Sequence, residues 1–331
     1  MLFSGMFHAV SLCISLYVLV KATDKFIEGS AAMALHWHVK PMLIGLTLVA
    51  FGTSLPEALV SIIGGLLDTG NMVIGNVLGS NIANITLGLG LAMLICQMHV
   101  HKKVLRLELP ALLFATLLTG LLLIDFRLSR QDGILMLLVW GFILFLFIRF
   151  HGQGDLECHE EMQQAKTLRQ QQAWLYFIVG LLLLVISARW LVWSAQSIAT
   201  MLGISELVIG LTVIAIGTSL PEITVSVMSA WKGQNDIALG NIVGSNIFNT
   251  LMVLALALFI HDIEVATDII WRDYAANMLF TTLLFGLVWY ASRKNRLLGK
   301  KTGVVFTLFY LVYLGCLANT GLNVGPPDVA G

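Results

Sequence analysis

Charge is what this sequence has least of. Of its 331 residues, 11% are Asp, Glu, Lys or Arg and 58% are hydrophobic, with a mean hydropathy of +0.88. Water-soluble domains do not keep that balance. Cysteine is scarce as well: Cys13, Cys96, Cys158 and Cys316 stand far apart with no C-x-x-C or other ligand spacing. They offer no metal site and read as small buried apolar residues. Histidine is missing from the apolar interior, because positions 8, 36, 38, 99, 101, 151, 159 and 261 all fall at the ends of apolar runs or between them. A membrane-embedded hydrolase using Ser54 or Ser219 as nucleophile would therefore lack a base. No soluble domain fits, and nothing points to a nucleic-acid partner.

Apolar runs take the place of charge. Ten approach the length of about 20 residues that spans a bilayer, near 4–20, 42–67, 72–96, 104–124, 133–150, 174–200, 207–231, 237–260, 274–291 and 303–320. The expected fold is an all-α polytopic membrane protein of ten transmembrane helices. Fifteen cations follow odd-numbered spans: Lys21, Lys25, Lys40, Lys102, Lys103, Arg106, Arg149, Lys166, Arg169, Lys232, Arg293, Lys294, Arg296, Lys300 and Lys301. Only Arg127, Arg130 and Arg272 lie on the opposite side, and Arg189 sits inside span six. The positive-inside rule then places both termini away from the cytoplasm. A cleaved signal peptide over 1–23 is the rival reading, but no positive charge precedes that apolar run and the lysines follow it.

One phrase is written twice. Residues 45–84 and 210–249 align without a gap at an offset of 165, with 19 of 40 positions identical. Gly52-Thr53-Ser54-Leu55-Pro56-Glu57 returns as Gly217-Thr218-Ser219-Leu220-Pro221-Glu222, and Gly75-Asn76, Gly79-Ser80-Asn81-Ile82 and Asn84 return as Gly240-Asn241, Gly244-Ser245-Asn246-Ile247 and Asn249. The offset covers five spans, an odd number, so the second half enters the membrane from the other side. The chain reads as two inverted-topology five-helix repeats, 1–160 and 165–331, and substrate sites in such proteins lie near the midplane. The polar segment 151–172 is a short cytoplasmic linker whose His159-Glu160-Glu161 is a solvated face.

Each copy places a proline, a carboxylate, hydroxyls and amides inside an apolar span, which is costly. Proline interrupts the helix and is expected to free carbonyls near Ala50 and Thr53, and near Ala215 and Thr218. Glu57 and Glu222 are read as the only acids at symmetric positions deep in the membrane. Two facing carboxylates repel unless a proton or a cation lies between them. They neutralise a divalent cation, and freed carbonyls, Thr and Ser hydroxyls and the amide oxygens of Asn84 and Asn249 complete the six to eight oxygens that calcium takes. An oxygen-only set suits calcium or sodium and argues against zinc or copper. For Gly75, Gly79, Gly240 and Gly244 the bland reading is helix packing. For Asn76, Asn81, Asn241 and Asn246 interhelical hydrogen bonds compete with ion contact. Asp24 and Arg189, also 165 apart, are a candidate gating pair across the two-fold axis, against the reading that each snorkels to its own interface.

The two stretches resemble the alpha repeats of the calcium/cation antiporter superfamily, in particular its sodium/calcium exchanger branch and the short bacterial members of it. The resemblance implies calcium bound between Glu57 and Glu222 with help from the backbone at Thr53 and Thr218. It implies sodium at Ser54, Ser219, Ser80, Ser245, the carbonyls of Ala50 and Ala215, and the same glutamates, with Asn84, Asn249, Asn81 and Asn246 in support. It further implies alternating access, with spans one and six sliding over the other eight, in the inner membrane of a bacterium. Asn at both 84 and 249 departs from members that carry Asp there. The transported ions are calcium and sodium, no cofactor is expected, and a monomer in the lipid bilayer suffices. Calcium/proton antiport is the alternative, and a cation channel is a more distant one.

Overall fold

Glycine and proline set where the helices break and how closely they approach. The computed structural model describes residues 2–98, 106–151, 168–203, 215–294 and 297–323. In chain order these form α1 (Leu2–His36), α2 (Pro41–Thr53), α3 (Leu55–Leu66), α4 (Gly70–Ile95), α5 (Glu108–Leu122), α6 (Arg130–His151), α7 (Gln170–Met201), α8 (Ala215–Thr218), α9 (Leu220–Trp231), α10 (Asn235–Leu258), α11 (Ile269–Arg293) and α12 (Lys300–Asn323). Two strands, β1 (Arg127–Leu128) and β2 (Ile263–Glu264), complete the set. The protein is an all-α polytopic membrane protein.

Among the described residues seven helices are long and apolar enough to cross a membrane, and α2 with α3, bent by 46°, makes an eighth. The expected spans at 104–124 and 207–231 are represented by the shorter α5 and by α8 with α9. Several expectations lie outside the described residues: the start of the second motif copy at 210–214, the linker residues 152–167 with Cys158 and His159-Glu160-Glu161, the cations Lys102, Lys103, Lys166 and Arg296, and His99 and His101.

The first helix is longer than its apolar run. It continues to His36 because the charges past residue 20 find partners along the way: Lys25 Nζ lies 2.8 Å from Glu28 Oε2 and Asp24 Oδ1 lies 2.9 Å from Lys232 Nζ. Thr23 and Ser30 turn their hydroxyls back onto the Leu19 and Phe26 carbonyls. The turn that ends it has His38 in the left-handed region (φ 55°) and Lys40 extended (ψ 141°), as the residue before Pro41 requires.

Polarity is inverted relative to a soluble protein. Glu57, Glu222, Asn84, Asn246 and Asn249 are fully buried, whereas Leu138, Phe142, Phe145 and Phe150 of α6 and Leu308, Leu311 and Val312 of α12 are exposed. A lipid-facing exterior around a polar interior produces that pattern. At the centre every residue of α10 from Ile237 to Phe248 is buried. Gly240 and Gly244 allow this, since a Cβ there would lie 2.8 Å from the Met42 carbonyl oxygen and 2.5 Å from that of Leu46. The packing reading holds for this copy. At Gly75 and Gly79 no described atom comes within 4 Å of the Cβ position.

Helices α1 and α7 pack chiefly on each other. Gly29 meets the Phe177 backbone and Gly180 the Phe26 backbone, and Trp190 Nε1 and Ser194 Oγ both reach Ser11 Oγ, at 2.6 and 2.9 Å. Short extended contacts tie the halves, which an all-α reading did not anticipate. β1 pairs antiparallel with β2, Leu128 opposite Ile263, and Met98 pairs with Leu298 through backbone bonds of 2.8 and 3.0 Å.

Candidate functional site

The Gly-Thr-Ser-Leu-Pro-Glu phrase makes the same turn twice. Ser54 (φ −86°, ψ 7°) and Ser219 (φ −84°, ψ 3°) leave helical geometry, and a new helix begins at the next residue with proline in its first turn. Proline is tolerated there because first-turn amides have no intrahelical acceptor. Glu57 and Glu222 consequently occupy the first turn of α3 and of α9, where the positive end of the helix favours a carboxylate.

The expectation that Ala50 has a freed carbonyl is corrected. Its oxygen accepts from the Ser54 amide at 3.1 Å, and the Thr53 and Ser245 hydroxyls lie 3.3 and 3.5 Å away. The donor that Pro56 lacks would have reached four residues back, to Gly52, so the register of the free group was misplaced. Ala215 begins α8.

The two copies meet at their carboxylates. Ser54 Oγ donates to Glu222 Oε1 at 2.9 Å, and Ser80 Oγ donates to Glu57 Oε1 at 3.3 Å. Thr53 Oγ1 donates to Asn241 Oδ1 at 3.2 Å and lies 3.4 Å from Ser245 Oγ. Thr53, Ser54, Ser80, Ser219 and Ser245 are all buried, and Thr218 is nearly so. Asn84 Nδ2 donates to Asn246 Oδ1 at 3.0 Å, Asn81 Nδ2 to Thr250 Oγ1 at 2.7 Å, and Asn246 Nδ2 to the Asn81 carbonyl at 3.1 Å. The amides of Asn81 and Asn246 thus hold α4 against α10.

Beside these bonds stand buried oxygens without a partner: Oε2 of Glu57 and of Glu222, Oδ1 of Asn84 and of Asn249, and Oγ of Ser219. A buried polar atom left unpaired costs about 1–3 kcal/mol. These are two carboxylate oxygens, two amide oxygens and a hydroxyl, hard donors of the type that calcium and sodium take. Among the described residues no group of three or more His, Cys, Asp and Glu could hold a metal. Asn84 and Asn249 also open π-helical turns, Asn84–Gly88 and Asn249–Val253, at equivalent places in α4 and α10. Such turns re-aim side chains and recur at functional sites.

Asp24 and Arg189 are not paired. Asp24 meets Lys232 on the loop after α9, half-buried on both sides. Sequence spacing suggested Arg189 because the offset matched, but equivalent positions in inverted repeats need not touch. The offset also hid a second acidic pair. Glu108 and Asp273 are 165 apart and buried, and Asp273 accepts from Arg272 Nε and from Tyr313 OH, both at 2.9 Å. Sequence reading also passed over Ser226, to which Asn241 Nδ2 donates at 2.9 Å, and Thr250. Ser61 and Ser226 are identical at the same offset, a signal that was available.

The sodium/calcium exchanger protein family model matches residues 7–149 and 172–318. The chain belongs to that family. Both copies of the repeated phrase fall inside the matched residues, and the family is one of exchangers rather than enzymes. Inner membrane protein YrbG of Escherichia coli is 35% identical over 312 residues, covering 92% of this chain and 95% of its own. Sodium/calcium exchanger MaX1 of Methanosarcina acetivorans is 30% identical over 343 residues, covering 92% and 96%. A solved structure of the sodium–calcium exchanger NCX_Mj superposes with a TM-score of 0.80 at 28% identity, covering 93% of this chain and 98% of that one.

Proposed function

We propose that this protein exchanges sodium for calcium across the membrane by alternating access, with the ions bound in turn between Glu57 and Glu222. The observation that carries this is the pair of buried carboxylates, each with one oxygen hydrogen-bonded by a serine and the other unpartnered. Calcium would take both glutamates with the backbone at Thr53 and Thr218. Sodium would take Ser54, Ser219, Ser80, Ser245, the Ala215 carbonyl and the glutamates, the Ala50 carbonyl being engaged by the Ser54 amide. Relatives named as sodium/calcium exchangers support the choice of ions. The two halves act as inverted repeats, so the set that faces one side in one state faces the other in the next. Exchange that carries one net positive charge inward gains about 2.3 kcal/mol per 100 mV in addition to the sodium gradient. The protein works as a monomer in the inner membrane with both termini away from the cytoplasm.

The test is calcium-45 uptake into proteoliposomes loaded with sodium and diluted into sodium-free buffer, beside a set energised only by a pH gradient. Sodium-driven uptake that is lost in Glu57→Gln and in Glu222→Gln, with both variants folded, is the expected result. Normal uptake in either variant would remove the glutamates from the mechanism, and uptake driven only by the pH gradient would assign the coupling to protons.

A further inference from the structure

The two motif copies are alike in sequence and unlike in hydrogen bonding. Around Glu222 the set is closed. Asn241 Nδ2 donates to the Glu222 main-chain carbonyl at 3.1 Å and to Ser226 Oγ at 2.9 Å, and its Oδ1 accepts from Thr53 Oγ1 at 3.2 Å. Ser54, from the other copy, donates to the Glu222 carboxylate at 2.9 Å. Around Glu57 the equivalent residues are Asn76, Ser61 and Ser219, each 165 positions away. None of their donors is engaged: Asn76 Nδ2, Ser61 Oγ and Ser219 Oγ are buried without a hydrogen-bond partner. The Glu57 carboxylate accepts from Ser80, within its own copy.

Identical side chains found bonded in one half and unbonded in the other mark two conformations of one device. Composition does not separate them, since Asn, Ser and Glu recur in register. We propose that Asn241 and Asn76 are alternate positioning residues for Glu222 and Glu57, only one of them engaged at a time. In the state described, Asn241 fixes the first turn of α9 and with it Glu222. In the opposite state Asn76 takes the Glu57 carbonyl and Ser61, Ser219 takes the Glu57 carboxylate, and the Asn241 set opens. Neither asparagine binds the transported ion. Each acts through the helical turn that carries a glutamate. Leaving buried donors unpaired is unfavourable, so one set closes as the other opens and the halves are coupled. This inference rests on the alternating-access reading above, which supplies the second state.

The experiment needs no ion gradient. Cys13, Cys96, Cys158 and Cys316 are replaced, and spin labels are attached at Leu202→Cys, just past α7, and at Ile124→Cys, just past α5, both strongly exposed. Double electron–electron resonance in nanodiscs then reads the populations of two distances. Ser226→Ala and Asn241→Ala each shift the ratio toward the second distance, by about five-fold for one hydrogen bond lost. Ser61→Ala and Asn76→Ala shift it the other way by a similar factor, and Ser61→Ala with Ser226→Ala restores the original ratio. Shifts of the same sign in both sets, or no shift in either serine variant, would overturn the proposal. A purely structural role gives no opposition of sign. Failure of sodium-driven uptake would leave this result untouched, so the two readings fail separately.

Discussion

Asn81 and Asn246 each donate toward the other's main-chain carbonyl, at 3.5 and 3.1 Å, so the two motif copies are joined through their own backbones. Asn246 also accepts from Asn84. Asn246→Ala therefore orphans the Asn84 amide and removes a donor from the Asn81 carbonyl, at about 1–3 kcal/mol for each group left unpaired. Thermal unfolding in detergent should show a clear loss for Asn246→Ala and little change for Asn249→Ala, because neither amide atom of Asn249 has a partner. Equal losses would mean that Asn249 is structural as well.

Ser54 and Ser219 occupy equivalent positions, but only Ser54 is bonded to a carboxylate. Ser54→Ala is expected to lower the stability of the ion-free protein by about 1–3 kcal/mol, the cost of leaving a buried acceptor unpaired. Ser219→Ala should leave that stability unchanged. Both should raise the sodium concentration needed for half-maximal calcium uptake more than they change calcium affinity, and equal effects on both ions would assign the hydroxyls to packing.

The Asp24–Lys232 pair joins α1 to the end of α9 at 2.9 Å, with each side chain about a third exposed. An ion pair in that setting contributes about 0.2–1 kcal/mol. Lys232→Asp should slow exchange or shift its sidedness, and adding Asp24→Lys should restore the original rate in the proteoliposome assay. Absence of rescue would show that the contact is incidental.

Outside the membrane, Arg127 bonds Asp262 at 2.8 Å and holds its carboxyl below the ordinary 3.8, helped by the Arg130 amide. A depressed carboxyl stabilises the fold at pH above its unfolded value and loses that contribution as pH falls through the folded one. The pH dependence is confined to pH below about 4, and the contribution itself is present in full at neutral pH. Asp262→Asn should flatten the unfolding curve in that window and remove the pair's contribution at pH 7, whereas a loss that is the same at every pH would point to a packing role.

The motif placed the glutamates, the serines and the break because each is a costly residue in an apolar span, and cost is visible in a sequence. What a hydrogen bond connects is not. Identity at an offset of 165 announced that Ser61 and Ser226, or Asn76 and Asn241, were equivalent, yet one member of each pair is bonded and the other is not. The Ala50 carbonyl is not freed because the helix runs on far enough for the Ser54 amide to reach it, which a proline two residues later does not reveal. Asp24 was paired by symmetry with Arg189, whereas reach along α1 and the end of α9 decided its partner. The extension of α1 to His36 was hidden because charged residues end an apolar run without ending a helix.

The backbone pairings of Leu128 with Ile263 and of Met98 with Leu298 join the first half to the second independently of side chains. With Gly240 and Gly244 seated on the backbone of α2, they make the covalent connection through 151–172 mechanically redundant. A nick there would leave the two halves as one body.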